Sequence, residues 1–104
     1  MSSDRYEPLL ERFPSLRLIG HTKLFRVALP DEPDNGARIY AKAEWCNPGG
    51  SIKDRPVMRM LAEAVLGGEL TPGRTIIDSS SGNAGIAYAM IGSMLGYDVE
   101  LVVP

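Results

Sequence analysis

Between Thr75 and Val103 the chain reads strand, small-residue turn, helix and strand, and that succession leaves it few ways to fold. Thr75-Ile76-Ile77 is a short β-branched run, and Asp78-Ser79-Ser80-Ser81-Gly82-Asn83-Ala84-Gly85 is loop chemistry. An apolar, small-residue helix follows to Leu95 and is closed by Gly96, and Val99–Val103 has the composition of a buried strand. Such a βαβ unit demands parallel pairing and a right-handed crossover. The fold class expected is therefore α/β. With 104 residues there is room for one domain or a piece of a larger one.

Upstream, residues 1–16 carry Pro8 and Pro14 among mixed charges and read as a peripheral arm with a short helix. Residues 17–104 form the α/β part. From Arg17 to Leu29 the chain is broken and extended, and Asn35-Gly36 supplies a turn with positive φ. In Arg38–Trp45 the residues Ile39, Ala41, Ala43 and Trp45 alternate with Arg38, Tyr40, Lys42 and Glu44. Period two predicts a strand with one buried face, paired with Leu24–Leu29. The period then changes. A helix is predicted over Asp54–Leu66, with Asp54 as N-cap, Pro56 in the first turn and Gly67-Gly68 as the stop. Its apolar stripe is Val57, Leu61, Ala64 and Val65, and Arg59 and Glu63 form an exposed i,i+4 pair.

Composition narrows the function classes. Eleven Lys+Arg against 13 Asp+Glu give a formal charge of −2, with no basic stripe to displace counterions from a nucleic acid. One Cys and one His allow neither a disulfide framework nor a closed zinc site, so no metal is expected. The beginning, Met1-Ser-Ser-Asp-Arg-Tyr-Glu, lacks the apolar core of a signal peptide, and no apolar run reaches the ~18 residues of a bilayer span. A cytoplasmic protein with no nucleic-acid or membrane partner is expected.

Two loops carry the chemistry. Asn47-Pro-Gly-Gly-Ser-Ile-Lys-Asp-Arg55 brings Lys53 to a helix N-terminus, and the serine-rich loop follows a parallel strand and leads into a helix. Both are expected in the crevice beyond the strand ends, where open α/β sheets collect ligands. An ammonium beside the positive end of a helix is disfavoured, and a neutral amine is a nucleophile toward aldehydes. A solvated lysine, or one paired with Asp54, is the plainer alternative. A Walker phosphate loop fails because Asp54, not Ser or Thr, follows Lys53. Ser79, Ser80 and Ser81 are either helix caps or hydroxyls that bind a small carboxylate or phosphate. His21 reads as a loop or turn residue, Cys46 as a packed thiol, and Tyr88, Met90 and Met94 as part of a helix surface or core.

The pair Asn47–Arg55 and Ser80-Ser-Gly-Asn-Ala-Gly85 strongly resembles the cysteine synthase and cystathionine β-synthase family of pyridoxal-phosphate enzymes of fold type II. Ile19-Gly-His-Thr-Lys-Leu24 is similar to the family's Ile-Gly-Asn-Thr-Pro-Leu, and Gly68–Thr75 looks like its connection between the two motifs. The resemblance implies a three-layer, parallel-sheet architecture (tryptophan synthase β-like), incomplete in this chain. It implies that Lys53 forms the Schiff base with pyridoxal 5′-phosphate and later moves the substrate α-proton. Asn83 would bond the cofactor's 3′-oxygen, and Ser80, Ser81, Gly82, Asn83 and Ala84 would bind the α-carboxylate. The reaction implied is β-replacement on an activated serine (O-acetyl or O-phospho) through an aminoacrylate, with sulfide or another thiol adding.

Departures from the pattern are Ser80 and Ala84 where the family usually has threonine, and Lys23 where it has proline. A cystathionine β-synthase or serine/threonine dehydratase reaction, and a non-catalytic fragment needing a partner, are the alternatives. Neither a phosphate loop for the cofactor nor a group for its pyridine nitrogen precedes Pro104. A homodimer or a missing C-terminal part is therefore expected, and the resemblance implies that the N-terminal arm packs on a second subunit. The apolar edge at Val102-Val103 predicts aggregation, or dependence on a partner, for the chain alone.

Overall fold

A computed structural model describes residues 4–31 and 36–104. Asn35, half of the expected turn, lies outside them, while Gly36 has φ +80°. Following Asp4–Tyr6, a 3-10 turn, come helix α1 (Glu7–Arg12) and a second 3-10 stretch, Pro14–Leu18. Strands β1 (Leu24–Val27) and β2 (Ile39–Lys42) pair antiparallel, in the register Leu24↔Lys42 to Val27↔Ile39. Helix α2 (Asp54–Leu66) leads to β3 (Thr75–Ser79), α3 (Asn83–Met94) and β4 (Asp98–Val102). Strands β3 and β4 are parallel, Thr75↔Asp98 to Ser79↔Val102, with α3 as the crossover. The βαβ unit and the α/β class stand as the sequence predicts.

The core lies between the helices and one side of this parallel pair. Val57, Met58, Leu61 and Ala62 of α2 meet Ala87, Tyr88 and Ile91 of α3, with Ile76 beneath them. The buried stripe of α2 thus runs through Met58 and Ala62, where Ala64 was expected; Ala64 is only half-buried. Burying one such aliphatic side chain contributes about 1.5–3 kcal/mol. At Gly92 the sheet comes so close that a Cβ would stand 2.5 Å from Val99 Cγ2 and 3.1 Å from Ile76 Cδ1.

The N-terminal segment is not a peripheral arm. Tyr6, Leu9, Leu10 and Leu16 are each under 5% exposed and belong to the same core. Glu63 on α2 fastens the segment by accepting hydrogen bonds from Tyr6 Oη and Arg5, besides its pairing with Arg59 at 3.2 Å. The apolar face of α1 therefore finds its partner within this chain.

The hairpin departs from expectation in the other direction. Strand β2 ends at Lys42, and Glu44–Cys46 forms a 3-10 turn. Of the face expected to be buried, Ala43 is buried, but Ile39 is 48% and Trp45 65% exposed. Among the described residues no further layer covers this two-stranded ribbon. Phe25 and Trp45 instead lie on each other, with ring centroids 5.8 Å apart.

Candidate functional site

The turn that carries Lys53 is held by buried polar side chains. Asn47, 3% exposed, donates from Nδ2 to the carbonyls of Glu44 (3.0 Å) and Ser51 (3.0 Å). Its Oδ1 accepts the Gly20 N–H at 2.8 Å, which ties the turn to the segment before β1. Gly50, at φ +83°, donates to the Asn47 carbonyl and reverses the chain, a conformation that costs glycine least. Asp54 is the first residue of α2, not its N-cap; Lys53 occupies the cap position. The Asp54 carboxylate is fully buried and turned back under the loop, where Oδ2 accepts the Gly49 N–H at 2.6 Å. A Cβ on Gly49 would overlap that carboxylate, so the turn closes only around glycine here.

Beside this turn sits an ion pair with further donors around it. Glu44 accepts from Arg55 Nε and from Arg55 Nη2 (3.0 Å), from the Thr22 hydroxyl, and from Asn47 Nδ2 (3.2 Å). These hydrogen bonds, Arg55 first and Thr22 next, hold its carboxyl well below the usual range, at about 2. Arg55 Nη2 also reaches Thr22 Oγ1 at 3.1 Å, and Lys42 Nζ reaches the Thr22 carbonyl at 2.6 Å. Lys53 itself is exposed, its backbone N–H bonded to Ser51 Oγ at 3.1 Å.

The second loop leaves β3 and enters α3 at its N-cap, Gly82. Ser80 continues the sheet, donating its N–H to the Val102 carbonyl at 3.2 Å. Its hydroxyl oxygen accepts the N–H groups of Gly85 (2.9 Å) and Gly82 (3.4 Å). Ser80 is thus the helix cap that the plainer reading expected, while Ser81, Gly82 and Asn83 stay exposed. Asn83 opens the helix instead of ending the loop. Ile86 N–H returns to the Gly82 carbonyl, leaving the N–H groups of Asn83 and Ala84 unpaired among the described residues. Free N–H donors at the positive end of a helix suit an anionic group.

The residues expected to act stand at the entrances to two helices that pack on each other, with Tyr88 Oη 3.8 Å from Met60 Sδ. Only the serine loop lies at the carboxyl end of a parallel strand. The lysine turn follows β2, whose partner is the antiparallel β1. The charged supports behind that turn, Glu44 and Arg55 with Thr22, went unassigned at the sequence level. Tyr88 lies in the helix core, one of the two places expected for it, and burial, then a hydrogen bond with Asp78, pushes its hydroxyl up.

Cys46 is exposed, not packed, because the 3-10 turn rotates it outward. His21 lies in the loop before β1, at φ 54°. It borders a cavity of about 380 Å³ floored by Leu10, Leu16, Ile19 and Met58, which includes neither Lys53 nor the serine loop. Among the described residues no group of three or more His, Cys, Asp or Glu could hold a metal ion. No helix there is long and apolar enough to cross a membrane.

A family model described as "Pyridoxal-phosphate dependent enzyme" matches residues 16–104. The cysteine synthase of Aquifex aeolicus is 47% identical over 91 residues, covering 86% of this chain and 28% of that protein. Cystathionine beta-synthase of Apis mellifera is 44% identical over 90 residues, covering 86% of this chain and 18% of that protein. Among solved structures, O-acetyl serine sulfhydrylase isoform 3 from Entamoeba histolytica matches with a TM-score of 0.80 and 36% identity, covering 86% of this chain and 28% of that one. The chain therefore spans less than a third of the length of each of these relatives.

Proposed function

Because the chain belongs to the pyridoxal-phosphate dependent enzyme family, we propose that it is the N-terminal part of a cysteine synthase, replacing the β-substituent of an O-acetyl- or O-phosphoserine with sulfide. The observation that carries this reading is the exposed Lys53 amine on a turn held from within by the Asn47 amide and by the Asp54 Oδ2–Gly49 N–H bond. The donor set fits pyridoxal phosphate: a primary amine, the Asn83 amide, exposed hydroxyls and unpaired N–H groups at the head of α3. When bound, that cofactor supplies an electron sink for the substrate's Cα.

Each residue has a task in this reading. Lys53 Nζ would hold the cofactor by its amine, and the same amine is placed to carry the proton exchanged with Cα. Asn83 would donate to the cofactor's 3′-oxygen. Ser81 and the N–H groups of Asn83 and Ala84 hold the substrate α-carboxylate, with Gly82 giving the backbone close access. Ser80, its oxygen occupied by Gly85 and Gly82, shapes that loop and retains one hydroxyl proton to donate. Ala84, with no hydroxyl, leaves its part of the carboxylate site to the backbone.

The exposed lone thiol suits a reducing cytoplasm. The uncovered hairpin suits a subunit that is completed by further polypeptide, either its own or that of a second copy. Transfer to a thiol amino acid is the second reading, favoured by 44% identity with the Apis mellifera cystathionine beta-synthase, close to the 47% of the cysteine synthase.

Borohydride reduction of the protein mixed with pyridoxal phosphate, followed by peptide mass mapping, is expected to place the label on Lys53. Lys53→Ala is expected to lose both the label and the imine absorbance. A label at another lysine, or identical spectra for the two proteins, overturns the reading. Product analysis with O-acetylserine plus sulfide, against serine plus a thiol amino acid, separates its two forms.

A further inference from the structure

We propose that Glu44 is a positioning residue for Lys53, acting through Asn47 and Arg55 to fix both ends of the turn that presents the amine. This rests on the reading of Lys53 as the cofactor anchor. Lys53 lies inside the span from Asn47 to Arg55, and both of those side chains end on the Glu44 carboxylate. Asn47 comes from the start of the turn and Arg55 from the first turn of α2. Thr22 brings in a third segment, since its hydroxyl donates to Glu44 and accepts from Arg55. The carboxylate is thus the common acceptor for donors contributed by positions 22, 47 and 55.

Its chemistry suits the task. All of these donors point hydrogens at it, and a carboxylate is an acceptor only. A bidentate guanidinium fixes direction as well as distance. Glutamine at this position would present an NH2 group to at least one of those donors, leaving the shape unchanged but the pairing broken. The turn would then keep its Asp54–Gly49 bond and the Asn47–Gly20 tie but lose the shared acceptor that fixes Asn47 and Arg55 relative to each other, and the amine would sample more directions. Preorganisation of a reacting group is worth much in rate and affinity, and a displacement of about 1 Å can cost on the order of a hundredfold.

The test compares Glu44→Gln with wild type for binding of pyridoxal phosphate and of 4-deoxypyridoxine phosphate, which lacks the aldehyde and cannot join an amine. Expected is a loss of about tenfold or more in affinity for the aldehyde and slower growth of the imine band. Affinity for the aldehyde-free analogue should stay within about twofold of wild type. Equal weakening of both ligands would show Glu44 to be only structural, and no change in either would show it to be irrelevant; each overturns the proposal. Should Glu44→Gln fail to fold, Thr22→Val removes one donor and keeps the charges. It is then required to weaken the aldehyde selectively, by a smaller factor, or the proposal falls. Failure of wild type itself to join the aldehyde at Lys53 would instead overturn the assignment of the anchor.

Discussion

Glu44 holds its negative charge among donors from Thr22, Asn47 and Arg55, and that arrangement has a signature in acid. Its carboxyl is lowered from 4.5 to about 2 in the folded chain. A depressed carboxyl adds stability wherever it is ionised in both states, and that contribution fades as pH falls toward the folded value. The stability difference between wild type and Glu44→Gln is expected to be constant above about pH 5.5. It should shrink between pH 4.5 and 2, as read from urea unfolding at each pH. Glu63 and Glu7, lowered by Tyr6 and Arg17 respectively, act equally in both proteins and drop out of the difference. A difference unchanged down to pH 2 would remove the charge from the account. At this scale the sequence displayed the actors but not their supports. Lys53 and Asn83 stand out through their glycine-rich surroundings, whereas Thr22, Glu44 and Arg55 are scattered along the chain and meet only after folding. Asp54 misled for a physical reason. A carboxylate beside a helix start suits a cap, yet this one is drawn inward by the Gly49 N–H.

Elements with double punctuation were readable to the residue. Helix α2 runs over Asp54–Leu66 as its period and the terminal Gly67-Gly68 require. The alternation through Trp45 overran β2, because alternation assigns faces and does not mark where pairing stops. The ladder ends with the Ala43 N–H on the Lys23 carbonyl at 2.8 Å, after which Cys46 closes a turn back to Ala43. Helix α3 began earlier than its small polar residues suggested, since Ser80 supplies the cap from outside it. The seating of α3 on the sheet makes its own prediction. Gly92→Ala improves helix propensity by up to about 1 kcal/mol but drives a methyl into Val99 and Ile76. A net loss of about 1–2 kcal/mol is expected in chemical denaturation. A gain would mean that helix and sheet are not in close contact at that point.

Over the whole molecule, the radius of gyration is 16.9 Å and the extents are 57 × 38 × 19 Å. A compact chain of this length would have a radius of about 13 Å. The excess reflects elements without a second partner: Leu24, Ile39, Tyr40 and Trp45 on the hairpin side and Ile77, Val102 and Val103 on the sheet are all more than 45% exposed. Parallel strands are normally covered on both faces, and here α3 and its neighbours cover one. Alone in solution, these 104 residues are expected to self-associate at micromolar concentration and to bind a hydrophobic dye. A monodisperse monomer in sedimentation, dark to the dye, would contradict this. The class of fold was legible because a βαβ crossover is a local pattern. The absent covering was legible only as an apolar edge at Val102-Val103.

One detail of the lysine turn reaches beyond catalysis. Everything that shapes it, from Asn47 and Gly49 to Asp54 and Arg55, is engaged with something other than the Lys53 side chain. Removing the amine should therefore silence the chemistry proposed for Lys53 while sparing the architecture. An inert twin of this kind would be a tool for capturing intact amino-acid ligands before they can react.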